Sequence, residues 1–113
     1  MIKIDNHIND EPEYYQLSVG GEIDASSSIH LEEGLKNAMQ ASKKIIVDLA
    51  ELEYISSAGL GVFMSIIQEL DNQNIKFIIY GMAPKVYEVF EILGLNQLIS
   101  IKKDKEEALE AIK

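Results

Sequence analysis

Cysteine is absent from this 113-residue chain, which excludes disulfide bridges, thiolate zinc sites and cysteine nucleophiles. No apolar run approaches the ~20 residues that a membrane-spanning helix requires. The opening Met1-Ile2-Lys3-Ile4-Asp5 lacks the charged-then-apolar layout of a secretory signal, so the expected location is the cytoplasm. Bases are also scarce, ten against 19 acids, for a formal charge of −9. Nucleic acid needs a basic footprint and an anionic membrane surface repels the same charge, so neither is an expected partner. The acidity suits a protein partner with a basic face, or simply keeps a small protein in solution.

What the chain does have is the composition of a globule: 47% hydrophobic residues and a mean hydropathy near zero. A chain of this length forms one domain, residues 1–113, and buries about two thirds of its unfolded surface. Ile2, Ile4 and Ile8 alternate with polar residues as in a strand. A turn at Asn9-Asp10-Glu11-Pro12-Glu13 leads to a second strand, Tyr14 to Val19, and the two make a hairpin. Gly20-Gly21 is expected to break regularity before Glu22-Ile23-Asp24. One of Ser26, Ser27 and Ser28 caps a helix carrying Leu31, Leu35, Ala38 and Met39 and ending near Ser42.

Lys44 to Leu49 reads as a strand buried on both faces, and Ala50 to Ile55 as a loop. A helix follows with Leu60, Phe63, Met64, Ile67 and Leu70 at three- and four-residue spacing, ended by Asn72-Gln73-Asn74. Ile75 to Tyr80 is another apolar strand, and Pro84 opens a helix with Val86, Val89, Phe90 and Leu93, stopped by Gly94. Leu98 to Ile101 suits a short last strand, and Asp104-Lys105-Glu106-Glu107 a capping box for a helix to Ile112. Strands alternating with three-turn helices define an α/β fold with a mixed, mostly parallel sheet. The carboxyl ends of its parallel strands are where function gathers.

Ser56-Ser57-Ala58-Gly59-Leu60-Gly61 stands at that end, at the first turn of a helix. A hydroxyl there meets free N–H groups at the positive end of a helix dipole. Such a serine can cap the helix, hold an anion or accept a phosphate, and either Ser56 or Ser57 could be the cap. No Gly-Lys-Ser/Thr tail follows for nucleotide phosphates, and Ile55-Ser56-Ser57-Ala58-Gly59 lacks the leading glycine of a hydrolase elbow. His7 and His30 lie in an early strand and an early helix, away from the turn, and read as solvent-facing. Asp24, Asp48, Glu51 and Glu53 have no calcium-loop spacing, so neither a metal nor another cofactor is expected.

Three blocks, in order and at matching spacing, resemble the STAS domain of bacterial anti-sigma factor antagonists. The first is Val19-Gly20-Gly21-Glu22-Ile23-Asp24. The second runs from Ile46-Val47-Asp48-Leu49 to Tyr54-Ile55-Ser56-Ser57-Ala58-Gly59-Leu60-Gly61, and the third from Val86 to Gly94-Leu95. The resemblance implies a STAS-type fold for nearly the whole chain. It places the family's phosphoacceptor on Ser57, with Ser56, in place of the usual aspartate, as a second candidate. Partner contacts are implied at Asp24, Ser56, Ser57, Ala58, Gly59, Leu60 and Met82. Leu60, Met64, Ile55 and Met82 could choose the partner, with core packing the plainer reading, above all for Met64.

The family's role implies a binding module and kinase substrate rather than an enzyme. The unmodified form would bind an anti-sigma factor serine kinase and free a sigma factor; phosphorylation of Ser57 would release it, and a serine phosphatase would restore it. A free monomer is expected. Alternatives are a STAS module in another assembly, such as a lipid-transport complex or signalling scaffold, or a small anion- or nucleotide-binding protein.

Overall fold

The computed structural model describes residues 2–10 and 13–113. Strand β1 (Ile2–Asp10) runs antiparallel to β2 (Glu13–Ile23) through nine consecutive pairs from Ile2↔Gly21 to Asp10↔Glu13. This is the expected hairpin; Glu11 and Pro12 of its expected turn lie outside the described residues. Helix α1 (Ser28–Ala41) follows, then β3 (Lys44–Asp48), β4 (Leu52–Ile55), α2 (Ser57–Asn72) and β5 (Lys76–Tyr80). The chain ends with α3 (Pro84–Ile92), a 3₁₀ turn at Leu95–Gln97, β6 (Ser100–Lys102) and α4 (Lys105–Ile112). The sheet order is β1-β2-β3-β5-β6, with β4 also paired to β2, and every pairing except β1–β2 is parallel.

Two expectations are corrected at β2. Gly20-Gly21 does not break the strand, and Leu52–Ile55 is not loop. β2 outruns β3: its first half pairs with β3 at Tyr15↔Ile45 through Ser18↔Asp48. From Gly21↔Leu52 it pairs with β4, and inside that ladder the register shifts, Glu22↔Tyr54 skipping Glu53 before Ile23↔Ile55. Gly21, the first residue to pair with β4, has φ 80°, a conformation costly for a side chain, next to the irregular step of that ladder. A Cβ at Gly20 would lie 2.9 Å from Glu51 Cβ, so the β3–β4 connection also requires a bare backbone there. The last strand starts two residues later than expected, because Leu95–Gln97 first makes its 3₁₀ turn.

The sheet has a core on each face. Ile45 and Val47 of β3 point into the larger core, with Leu17, Val19, Leu31, Leu35, Phe63 and Phe90 from β2, α1, α2 and α3. Ile46 points the other way, with Tyr14, Ile78 and Tyr80, and is covered by Ala108 and Ile112 of α4. This is why β3 reads as a continuous apolar run. Phe63 and Phe90 meet edge to face at 5.4 Å and lock α2 to α3. The α4 start behaves as expected: Asp104 accepts a hydrogen bond from the Glu107 N–H at 2.9 Å. His7 and His30 are exposed.

Candidate functional site: the serine turn

The serine turn leaves β4, not the strand Lys44–Leu49, but both strands run parallel to β2 and end on the same side of the sheet. Ile23 and Ile55 are ladder partners, and the Ser56 N–H donates to the Ile23 carbonyl at 2.7 Å. Asp24 and Ser56 therefore each stand one residue beyond a paired position. Met82 belongs to the same end, two residues past β5, where Leu49 N–H bonds the Tyr80 carbonyl at 3.0 Å.

The two serines divide the work. Ser56 is the N-cap of α2: its extended backbone (φ −81°, ψ 170°) aims its hydroxyl at the Gly59 N–H, 3.2 Å away. Its carbonyl accepts the first helical bond, from Leu60, at 3.0 Å. Ser57, the first helical residue, is exposed and leaves its hydroxyl free of the cap. Ala58 is exposed beside it, whereas Gly59 and Leu60 are buried. A Cβ on Gly59 would lie 2.7 Å from Ile23 Cγ2 and 2.8 Å from Ile55 Cγ1. Bare backbone at Gly59 thus lets the helix start sit directly on the ends of β2 and β4.

The implied contact residues accordingly separate. Asp24, Ser57 and Ala58 face solvent, Ser56 and Met82 are half-buried, and Gly59 and Leu60 support the turn from beneath. Leu60 and Ile55, considered for the exposed side, are 5% and 6% exposed and belong to the larger core. Met64 is the reverse: the core reading fails, for its side chain is 52% exposed, and Ile66 fills the core instead. Tyr54 of β4, which sequence reasoning passed over as loop, is also 52% exposed.

Asp24 organises the neighbouring helix start. Sequence reasoning assigned a serine cap to α1, yet Ser27 at the N-cap makes no side-chain cap bond. Instead the Asp24 carboxylate accepts from the Ser26 hydroxyl at 2.8 Å, the Ser27 N–H at 2.9 Å and the Ser27 hydroxyl at 3.0 Å. The Asp24 N–H in turn donates to Ser27 Oγ at 2.9 Å. Chiefly the Ser26 hydroxyl bond, then the Ser27 N–H and hydroxyl bonds, hold the Asp24 carboxyl down at about 2, against an ordinary 3.8.

The β2 and β4 ends that carry the turn are rich in acids, while Lys85 and Lys102 stand by β5 and β6. No lysine or arginine occurs between Lys3 and Lys36 or between Lys44 and Lys76, and those stretches include Glu22, Asp24, Asp48, Glu51 and Glu53. An anion placed on the turn would meet helix N–H groups but no lysine from these stretches. Among the described residues, no three His, Asp or Glu converge as metal ligands. None of the described helices is long and apolar enough to cross a membrane.

Such a fold, with a capped serine turn at the parallel strand ends, defines a small mixed α/β domain. The model of the STAS domain family matches residues 3–108, and the chain belongs to that family. It is 32% identical over 94 residues to the anti-sigma-B factor antagonist of Listeria monocytogenes, covering 81% of this chain and 82% of the relative. The Staphylococcus aureus anti-sigma-B factor antagonist is 31% identical over 97 residues, covering 85% and 90%. Among solved structures, an anti-sigma factor antagonist from Mycobacterium paratuberculosis superposes with TM-score 0.87 at 21% identity, over 99% of this chain and 94% of that one. The Bacillus cell fate determinant SpoIIAA in its phosphorylated form gives 0.71 at 20% identity, over the full length of both chains. These structural likenesses establish the shared fold.

Proposed function

We propose that this chain is an anti-sigma factor antagonist that acts by partner switching, with Ser57 as its phosphoacceptor. The observation that carries this reading is the division between the serines: Ser56 is spent on the cap, and Ser57 is exposed at the first helical position. The names of the Listeria and Staphylococcus relatives support the role. The partner is an anti-sigma factor serine kinase, which binds the unmodified turn and gives up its sigma factor. The kinase transfers the terminal phosphoryl group of ATP to Ser57 Oγ, the hydroxyl proton leaves, and ADP departs. A serine phosphatase hydrolyses the ester and restores the free hydroxyl. The chain is substrate and ligand in this cycle, and its place is the cytoplasm.

The physics makes the modification a switch rather than a denaturant. A phosphate adds about −1.5 to −2 charges, and a helix N-terminus stabilises them. Fold stability is thus preserved. The acidic surroundings favour a basic partner surface, but a phosphate pressed into a contact fitted to a hydroxyl is a dianion without its own counter-charge. Leaving such a charge uncompensated costs about 2–5 kcal/mol, a loss of tens- to thousands-fold in affinity. Asp24, Ala58 and Met82 border the contact, and Gly59 and Leu60 hold its shape.

Titration of the anti-sigma kinase of the same cell with wild type, Ser57→Ala and Ser57→Asp tests the reading. Wild type and Ser57→Ala should bind alike, Ser57→Asp should bind at least tenfold more weakly, and ATP should release only wild type. Equal affinity for the two variants, or phosphate recovered on Ser56 alone, would overturn the assignment. A membrane transport subunit captured by both variants from lysate, without phosphate on the chain, would place this domain in another assembly.

A further inference from the structure

The two end strands of the β1-β2-β3-β5-β6 order are built differently. β6 is a three-residue edge whose last residue is Lys102, followed by Lys103, and short length and lysine are both devices that discourage strand addition. β1 is the less protected: it is nine residues long, pairs with β2 without a bulge, and no described strand pairs with its outer side. It carries one lysine, near its start, and its Ile8 side chain is 61% exposed. A long, regular edge with an exposed aliphatic group is a template for another strand.

We infer that this edge takes a second copy of the chain, β1 against β1 in antiparallel register about a dyad through Asn6. A dyad perpendicular to the sheet keeps each copy's faces aligned, so residues of like parity become opposite neighbours. Centred on Asn6, the register sets Ile4 opposite Ile8 of the second copy, twice, and Asp5 opposite its His7, twice. The faces agree with this pairing. Ile4, Asn6 and Ile8 pair across the hairpin with Val19, Leu17 and Tyr15, which point into the larger core, so the aliphatic pairs extend that core's edge. Asp5 and His7 pair with Ser18 and Gln16 on the opposite, polar side. The exposed Ile8 thereby gains an apolar neighbour, and each Asp5 carboxylate an imidazole partner.

Space allows it. α1 packs against β2 and reaches Ile4 of β1 at Gly34, so helices of the two copies would lie about 10–14 Å apart, two to three strand spacings of about 4.8 Å, against about 10 Å for helices in contact. The Ser57 turn remains open, so the pairing does not depend on the proposed function. It departs from the monomer expected of the free chain. With −9 charges per copy, long-range repulsion opposes association, and added salt should strengthen it.

The absence of cysteine provides a direct test of register. Opposite antiparallel residues stand about 4.5–5.5 Å apart at Cα, within disulfide reach. Asn6→Cys should therefore form a disulfide-linked dimer under mild oxidation, while a control cysteine at exposed Asn37 should not. Sedimentation equilibrium of the wild-type chain in 0.15 M salt, from about 10 μM to about 1 mM, should show a monomer–dimer equilibrium. Ile8→Lys should weaken it about tenfold or more, since each dimer would lose two cross-strand aliphatic pairs, with the monomer's circular dichroism and melting temperature unchanged. A wild-type monomer across the whole range, or a dimer indifferent to Ile8→Lys and not trapped through Asn6→Cys, would overturn the inference.

Discussion

The Ser56 N–H donates to the Ile23 carbonyl oxygen at 2.7 Å, so the cap of α2 is held by the strand that leads to Asp24. This bond continues the β2–β4 ladder one step beyond Ile23↔Ile55. Ser56 therefore has its backbone in the sheet and its hydroxyl in the helix. The serine turn is thus a rigid junction, and its exposed part is the outward face of Ser57 and Ala58.

That junction separates the two serines by stability. Ser56→Ala removes the acceptor for the Gly59 N–H and should cost about 0.5–2 kcal/mol, the usual worth of a side-chain N-cap. Ser57→Ala touches no cap bond, and an exposed alanine in the first helical turn should leave stability within about 0.5 kcal/mol of wild type. Urea denaturation of both variants at neutral pH measures this. Equal losses would mean that the hydroxyls share the cap.

Two glycines of one helix should respond in opposite directions. Gly59→Ala forces a methyl against the buried side chains of Ile23 and Ile55 at 2.7 and 2.8 Å, and overpacking of this kind costs about 1–3 kcal/mol. Gly61 has nothing within 4 Å of its would-be Cβ, so Gly61→Ala should gain about 0.5–1 kcal/mol of helix stability. The contrast in denaturation midpoint, loss at one and gain at the other, checks the seating of the helix on the strand ends.

Much of this arrangement is legible in the sequence because single residues carry it. Asp104 with Glu107, Pro84, and the apolar run Ile45-Ile46-Val47 each announce a local structure that the fold keeps. The failures have physical reasons too. Gly20-Gly21 looks like a break, but the strand runs through it as β2 passes from β3 to β4, a tertiary event with no local signature. β4 was hidden because Leu52 and Ile55 are its buried residues, with two exposed residues between them, which defeats a two-residue alternation. Met64 fits the helical stripe by spacing, yet the core accepts Ile66 on the other flank. The serine turn itself was visible; which serine caps depends on a one-residue difference in where the helix begins.

Asp24 should leave a mark on acid stability. Its carboxyl ionises at about 2 in the fold and near 3.8 when free, so the folded state favours the charged form. The stabilisation is complete above the free value and fades as pH falls from about 4 to about 2. In Asp24→Asn the acid limb of a stability–pH curve should be shallower over that window, with lower stability at pH 7 where the carboxylate's bonds from Ser26 and Ser27 are weakened. Urea midpoints taken every half unit between about pH 2 and 7 would show it, and curves that stay parallel throughout would contradict the helix-start role.

At the alkaline end the corresponding group is Tyr80. Burial, then the nearby charge of Asp48 and the hydrogen bond to it, push the Tyr80 hydroxyl well above its ordinary 10.0. The fold thus holds the neutral phenol. Its contribution is intact below pH 10 and is lost as pH rises beyond, because the unfolded chain then releases a proton that the fold retains. Tyr80→Phe removes this proton linkage, so its stability should decline less steeply above pH 10 than wild type. Asp48 keeps its other bond, from the Ala50 N–H at 2.9 Å, so the β3 end stays formed. Since Tyr80 is two residues from Met82, the same variant also tests whether the strand end positions the proposed contact at Met82. Unchanged affinity for the proposed kinase partner at pH 7, with a shallower alkaline decline, would assign the Tyr80–Asp48 pair to stability alone. A weaker complex with an unchanged fold would make Tyr80 a positioning residue for Met82.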